Sequence, residues 1–190
     1  MTLAKIVWRI KQAQIAKPRD LSIENRRGSC YPSTVSEKLK SAAELLAIRA
    51  GAKNHGKKIV FTNGCFDLLH RGHVEILRGA KNQGDILIVA LNTDRSVRAI
   101  KGSERPIVSE SDRAELIAAL EMVDYVTLFD ESEPTALIEQ LKPDVLAKGG
   151  DYGRDKVVGA DIVEGYGGRV AVIPYLQGHS TSELIEKIRG

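Results

Sequence analysis

Short apolar runs alternate with amphipathic stretches through the chain from about residue 36 onward. Lys58–Thr62 (KIVFT), Asp85–Leu91 (DILIVAL), Tyr125–Phe129 (YVTLF), Val145–Ala147 and Val170–Pro174 (VAVIP) are continuously apolar, as strands buried on both faces are. Helical spacing marks residues 72–83, 111–122, 133–141 and 180–188. A further helix, about 36–50, precedes the first strand, with Leu39, Ala42, Ala43, Leu46 and Ala47 as its expected buried face. This rhythm predicts an α/β fold: a doubly wound, Rossmann-like parallel sheet of about five strands with helices on both faces. Ligands bind such sheets beyond the carboxyl ends of the strands, where the strand order reverses. The loops Asn63–Gly72, Asn92–Glu110 and Lys148–Gly159 follow predicted strands and are the candidate binding loops.

Composition narrows the class. With 190 residues, 43% hydrophobic and 28% charged, the chain can bury its own core without staples. No window approaches the ~18 apolar residues of a membrane span. The first twenty residues lack the apolar core and cleavage site of a signal peptide. Cys30 and Cys65 cannot make a disulfide framework, so a cytoplasmic location without membrane association is expected. Net charge is only +3, but residues 1–30 hold seven cations against two carboxylates and leave the remainder net negative. Residues 1–33 therefore read as a basic N-terminal extension, disordered as unpinned termini tend to be. Residues 34–190 read as the working domain, with its core from 57. A basic arm can touch anionic partners, yet this balance does not argue for nucleic acid.

The most informative stretch is Thr62-Asn63-Gly64-Cys65-Phe66-Asp67-Leu68-Leu69-His70-Arg71-Gly72-His73, which leaves the first strand and runs into a helix. A helix N-terminus presents free N–H groups and partial positive charge, so it holds phosphates. His70 and His73 bracket that start, three apart, and Gly72 removes a side chain where a phosphate approaches the backbone. The plainer alternative is that the histidines cap the helix and Gly72 eases a turn. A zinc pair lacks a third ligand at convincing spacing.

Other motifs are weaker alone. Lys101, Arg105 and Arg113 surround a loop broken by Gly102 and Pro106, and suit an acceptor phosphate or pyrophosphate if they are not simply solvated. In Lys148-Gly149-Gly150-Asp151 two glycines allow close backbone approach and Asp151 offers an acceptor; a plain turn is the alternative. Ser180 and Glu183 fit a capping box. Gly51–Lys57 spells GxxxxGK, but Lys58 stands where Ser or Thr is needed, and a strand rather than a helix follows. Gly165-Tyr166-Gly167-Gly168 fails to complete GxGxxG, because Val170 occupies the last position.

Thr62–His73 resembles the HxGH signature of the nucleotidyltransferase superfamily, and the likeness runs in order through nearly all of 57–190. Asn92-Thr93-Asp94 is similar to its ribose-side loop, and Lys101 to Pro106 with Arg113 to its basic acceptor segment. Lys148–Tyr152 and Gly178–Ser182 are similar to its C-terminal nucleotide loops. The phrases TNGCFDLLHRGH and KGGDY resemble most the heptose 1-phosphate adenylyltransferases, whose domain stands alone or is fused behind a sugar kinase. That resemblance implies AMP transfer from ATP to D-glycero-β-D-manno-heptose 1-phosphate, giving ADP-heptose and pyrophosphate for the lipopolysaccharide inner core. It implies His70, His73 and Lys101 as catalytic residues. It implies a nucleotide site of Asn63, Gly64, Cys65, Phe66, Gly72, Asn92, Asp94, Lys148, Gly149, Gly150, Asp151, Ser180, Thr181 and Ser182. Asp67, Arg105 and Arg113 would bind the acceptor. Mg²⁺ would accompany ATP without a dedicated protein metal site. A separate sugar kinase and phosphatase would supply the acceptor, since 57 residues ahead of the first strand leave no room for a kinase; a homodimer is compatible. The rivals are a cytidylyltransferase acting on glycerol 3-phosphate or a similar small phosphate, and a non-catalytic nucleotide- or RNA-binding module.

Overall fold

The computed structural model describes residues 37–150, 157–176, 178 and 181–190. The expected extension 1–33 lies outside them, as do Asp151, Ser180 and the side chain of Ser182. The elements run α1 (Ala42–Asn54), β1 (Ile59–Gly64), α2 (Arg71–Lys81), β2 (Ile86–Asn92), α3 (Asp94–Lys101) and α4 (Glu110–Ala118). They continue with β3 (Tyr125–Phe129), α5 (Thr135–Leu141), β4 (Val145–Gly149), α6 (Ala160–Gly165), β5 (Arg169–Ile173) and α7 (Thr181–Arg189).

All five strands are parallel, in the order β3-β2-β1-β4-β5. The order reverses between β1 and β4, which makes their carboxyl ends the switch point. Two apolar layers sandwich the sheet, as its unbroken apolar strands require. On one face Leu77 and Ala80 of α2 and Ala114 and Ile117 of α4 pack on Val60, Val89 and Ala147. On the other, Leu45 of α1, Ile138 of α5 and Val163 of α6 pack on Phe61, Ile88 and Leu146.

Three features depart from the sequence reading. Helix α1 starts at Ala42 rather than near 36, because Leu39 leaves the helical path to bridge Val126 and Ser41 then caps a new start, in a capping box with Glu44. Its buried stripe is Leu45, Ile48, Arg49 and Ala52, whereas Leu39 and Leu46 of the expected face are 45% and 40% exposed. The reason is Arg49, which turns inward to hold Asp144 through Nη1 and Nη2 (2.8 and 3.0 Å) while Asp144 accepts the first β1 amide, Ile59 N–H. A cation in the middle of the stripe hides it from a hydrophobicity count. Finally, α3 and α6 occupy stretches expected as loop or left unassigned, each too short to show a period.

Candidate active site

β1 delivers its last residues into a tight loop whose shape depends on local sterics. Phe66 adopts a left-handed φ of 47° and folds its buried ring back over Gly64, where any Cβ would stand 2.9 Å from the ring. Strain of this kind persists only where surrounding packing enforces it. Here the ring is fixed against the core and against His73, at a centroid distance of 5.1 Å.

His70 occupies the position before the first turn of α2, yet makes no side-chain capping bond. The capping alternative is therefore set aside for His70. Instead its ring stacks on His73, with centroids 3.9 Å apart and planes at 29°. The His73 Nδ1 is buried without a hydrogen-bond partner. Burial, reinforced by the charge of His70, lowers the His73 pKa from 6.5 to about 4, so the ring is neutral at pH 7.

His73 shares a cleft of about 180 Å³ with Cys65, Phe66, Lys148 and Tyr175, at the carboxyl ends of β1 and β4. The Lys148 ammonium crosses the junction to Asn63, and burial lowers its pKa. Burial raises the Cys65 pKa, against the pull of Lys101, Arg113, Arg105 and Lys148, which puts four cations within electrostatic reach of this loop. Lys101 ends α3 and is exposed. The Thr181 hydroxyl donates to Leu68 O at 3.3 Å and ties the start of α7 to the same loop.

The sequence model of the cytidylyltransferase-like family matches residues 61–187, the span that carries this cleft. The chain belongs to that family. It is 52% identical over 162 residues to the bifunctional protein HldE of Geotalea uraniireducens, covering 85% of this chain and 33% of that protein. To HldE of Geobacter metallireducens it is 54% identical over 151 residues, 80% of this chain and 31% of the relative. The chain thus spans about a third of the length of these relatives. Among solved structures, a lipopolysaccharide core biosynthesis protein from Thermoplasma volcanium superposes with a TM-score of 0.53 at 29% identity. That match covers 65% of this chain and all of the other. Pantoate-beta-alanine ligase from Francisella tularensis, solved with an ATP analogue and beta-alanine, reaches 0.56 at 14% identity. It covers 80% of this chain and 76% of the ligase, and shows the fold alone.

Within this cytidylyltransferase-like chain several expected site residues lie beneath the cleft rather than on it. Asp67 is 2% exposed. Its carboxylate accepts Ile107 N–H (2.8 Å), Val108 N–H (2.9 Å) and the Arg105 Nε–H, so it pins the loop after α3. Burial works to raise its pKa, but those two amides and Arg105 outweigh it and leave the carboxyl below its ordinary value. Arg113 is fully buried. It donates to Cys65 O (2.6 Å), Val108 O (3.0 Å) and the Asp94 carboxylate (2.8 Å), which spends its fork on the protein instead of on an acceptor. Asn92 is buried and donates to Ser96 Oγ and Glu131 O. Gly149, by contrast, lines the cleft and makes room there for Ile76 of α2, and the Gly150 N–H bonds Ile173 O.

Tyr175 and Ile76 line the cleft without having been singled out in the sequence. The available signal for Tyr175 was its place just past the last strand, the same edge rule that marked the other loops. No three His, Cys, Asp or Glu side chains converge as a metal site among the described residues. No helix among them is long and apolar enough to cross a membrane.

Proposed function

We propose that the chain transfers AMP from ATP to D-glycero-β-D-manno-heptose 1-phosphate. The observation that carries this reading is the meeting of the stacked His70–His73 pair and the Lys148 ammonium at the switch point of the sheet. The choice of acceptor is supported by about 50% identity to the HldE proteins, and disfavours the glycerol 3-phosphate and non-catalytic alternatives. An oxygen of the sugar 1-phosphate attacks the α-phosphorus of ATP. The bond from that phosphorus to the α–β bridging oxygen breaks, and pyrophosphate leaves. The attacking oxygen is already anionic at neutral pH, so no protein nucleophile or strong base is needed.

Catalysis is then positioning and electrostatics. His70 and His73 stabilise charge on the α-phosphate and bridging oxygen, and a phosphate beside His73 favours its protonated form. Lys148 and Lys101 add positive charge, while Arg105, held by Asp67, faces the acceptor. Asp67 and Asp94 already hold Arg105 and Arg113. A magnesium ion would therefore be carried by phosphate oxygens and water, neutralising the leaving pyrophosphate.

On this reading residues 34–190 form the catalytic domain, residues 1–33 an extension to it, and the enzyme works in the cytoplasm, alone or as a homodimer, on acceptor supplied by kinase and phosphatase steps. Pyrophosphate release from a panel of ATP and CTP against heptose 1-phosphate and glycerol 3-phosphate tests it. ATP with heptose 1-phosphate should be the best pair; a preference for CTP with glycerol 3-phosphate would sink the assignment.

A further inference from the structure

The hydrogen-bonded ladder between β1 and β4 pairs Val60 with Val145 and Phe61 with Leu146. Asn63 and Lys148 stand two residues further on, past the last pair, where the strands part. There the Lys148 ammonium closes the gap, donating to the Asn63 carbonyl at 3.1 Å and to its side-chain Oδ1 at 3.0 Å. Both acceptors are neutral. Among the described residues no carboxylate lies within ion-pair distance of Lys148. A cation drawn out of water without a counter-charge is costly, which accords with the lowered Lys148 pKa. Two of the three ammonium N–H groups are spent on one residue, and Lys148 lines the same cleft as His73.

We propose that Asn63 is a positioning residue whose two neutral oxygens hold the Lys148 ammonium at the open end of the β1–β4 junction, leaving its charge for the triphosphate of the nucleotide. The inference rests on reading the cleft as a nucleotide site, and it explains why the holder is an amide. An aspartate at 63 would offer the same oxygens but would neutralise the lysine before the substrate arrived. A side chain without oxygen would leave one of the two bonds unmade and the ammonium free to turn away.

A double-mutant cycle on the full chain tests this, read by calorimetric binding of inorganic tripolyphosphate and of ATP. Lys148→Met should weaken both by roughly tenfold to a hundredfold, the loss expected for hydrogen bonds from a charged group. Asn63→Ala should weaken both by less, and should add under about twofold in the Lys148→Met background. Asn63→Asp should weaken both nearly as much as Lys148→Met and reduce the salt dependence of tripolyphosphate binding, although the lysine is still present. Asn63→Val replaces Asn63→Ala should the latter fold poorly. A merely structural Asn63 would lower the melting temperature and leave these affinities in place. Losses that multiply in the double variant, or an Asn63→Asp protein that binds like the wild type, would overturn the inference. Tripolyphosphate binding that follows the cycle, in a protein that adenylylates no sugar phosphate, would remove the acceptor assignment and leave the role of Asn63 standing.

Discussion

Arg113 Nη1 donates to the Cys65 carbonyl oxygen at 2.6 Å, joining α4 to the loop after β1 across 48 residues of chain. Nε of the same guanidinium holds Val108 O, and Nη2 holds Asp94 at the start of α3. One planar fork thus fixes the loop after β1, the loop after α3 and the start of α3 against each other, a task a single ammonium cannot match. Asp67 completes the arrangement from the other side by gripping Ile107, Val108 and Arg105.

Removing either partner should therefore cost stability first. Arg113→Ala strands the Asp94 carboxylate and two carbonyls, and should lower unfolding stability by about 3–5 kcal/mol. Asp67→Asn keeps the shape but turns an N–H toward a donor, and should cost about 1–3 kcal/mol. Both should also raise the KM for the acceptor more than that for ATP. Denaturant unfolding with steady-state kinetics measures both; an Arg113→Ala protein as stable as wild type would contradict the clamp.

The histidines should behave in the opposite way. His70→Ala removes the stacked contact with His73, and its effect on kcat should exceed its effect on the melting temperature. Each of His70→Ala and His73→Ala should lower kcat by ~10²–10³-fold, or ~3–4 kcal/mol of transition-state stabilisation. His73→Ala should also lose some packing against Phe66. Retention of more than roughly a third of kcat by both variants, under ~1 kcal/mol, would rule out their catalytic role. Lys101→Ala should also lower kcat, without a change in melting temperature, since the side chain is exposed.

Stability should fall with acid in a window set by His73. Its folded pKa of about 4 lies below the ordinary 6.5, so protons favour the unfolded chain. The stability it contributes is fully present above pH 6.5 and is lost as pH drops toward 4. Full burial would make this about 3 kcal/mol, and partial solvent screening reduces it to about 1–2 kcal/mol. The pH dependence of the melting temperature should flatten in that window for His73→Gln. ATP binding near pH 6 should be accompanied by proton uptake, measurable by calorimetry in buffers of different ionisation enthalpy.

Gly149 supplies a packing test. A Cβ there would stand 2.5 Å from Ile76 Cδ1 and 2.9 Å from Cγ1, so Gly149→Ala should cost about 1–3 kcal/mol by overpacking. Ile76→Val removes the nearer atom, and the double variant should be more stable than additivity predicts. Strict additivity in urea melts would show that the α2–β4 contact is not the source of the loss.

Much of this molecule follows from short-range order in the chain. Five unbroken apolar runs can be satisfied only by burial on both faces, which dictates a parallel sheet between two helical layers. The histidine pair was legible for a similar reason, since residues three apart at a helix start are neighbours however the rest folds. What the sequence could not decide involves partners distant along the chain. Asp67 and Arg113 are charged residues in or beside loops, and nothing local distinguishes a substrate contact from a buried clamp. Their partners are mostly backbone groups, which every residue carries, brought into reach only by the packing of α4 on the sheet. The face of α1 was decided in the same way, because Arg49 turns inward for Asp144, 95 residues away. Periodicity registers apolar area, whereas a buried charge is placed by the geometry of its partner, and that geometry exists only once the sheet has formed.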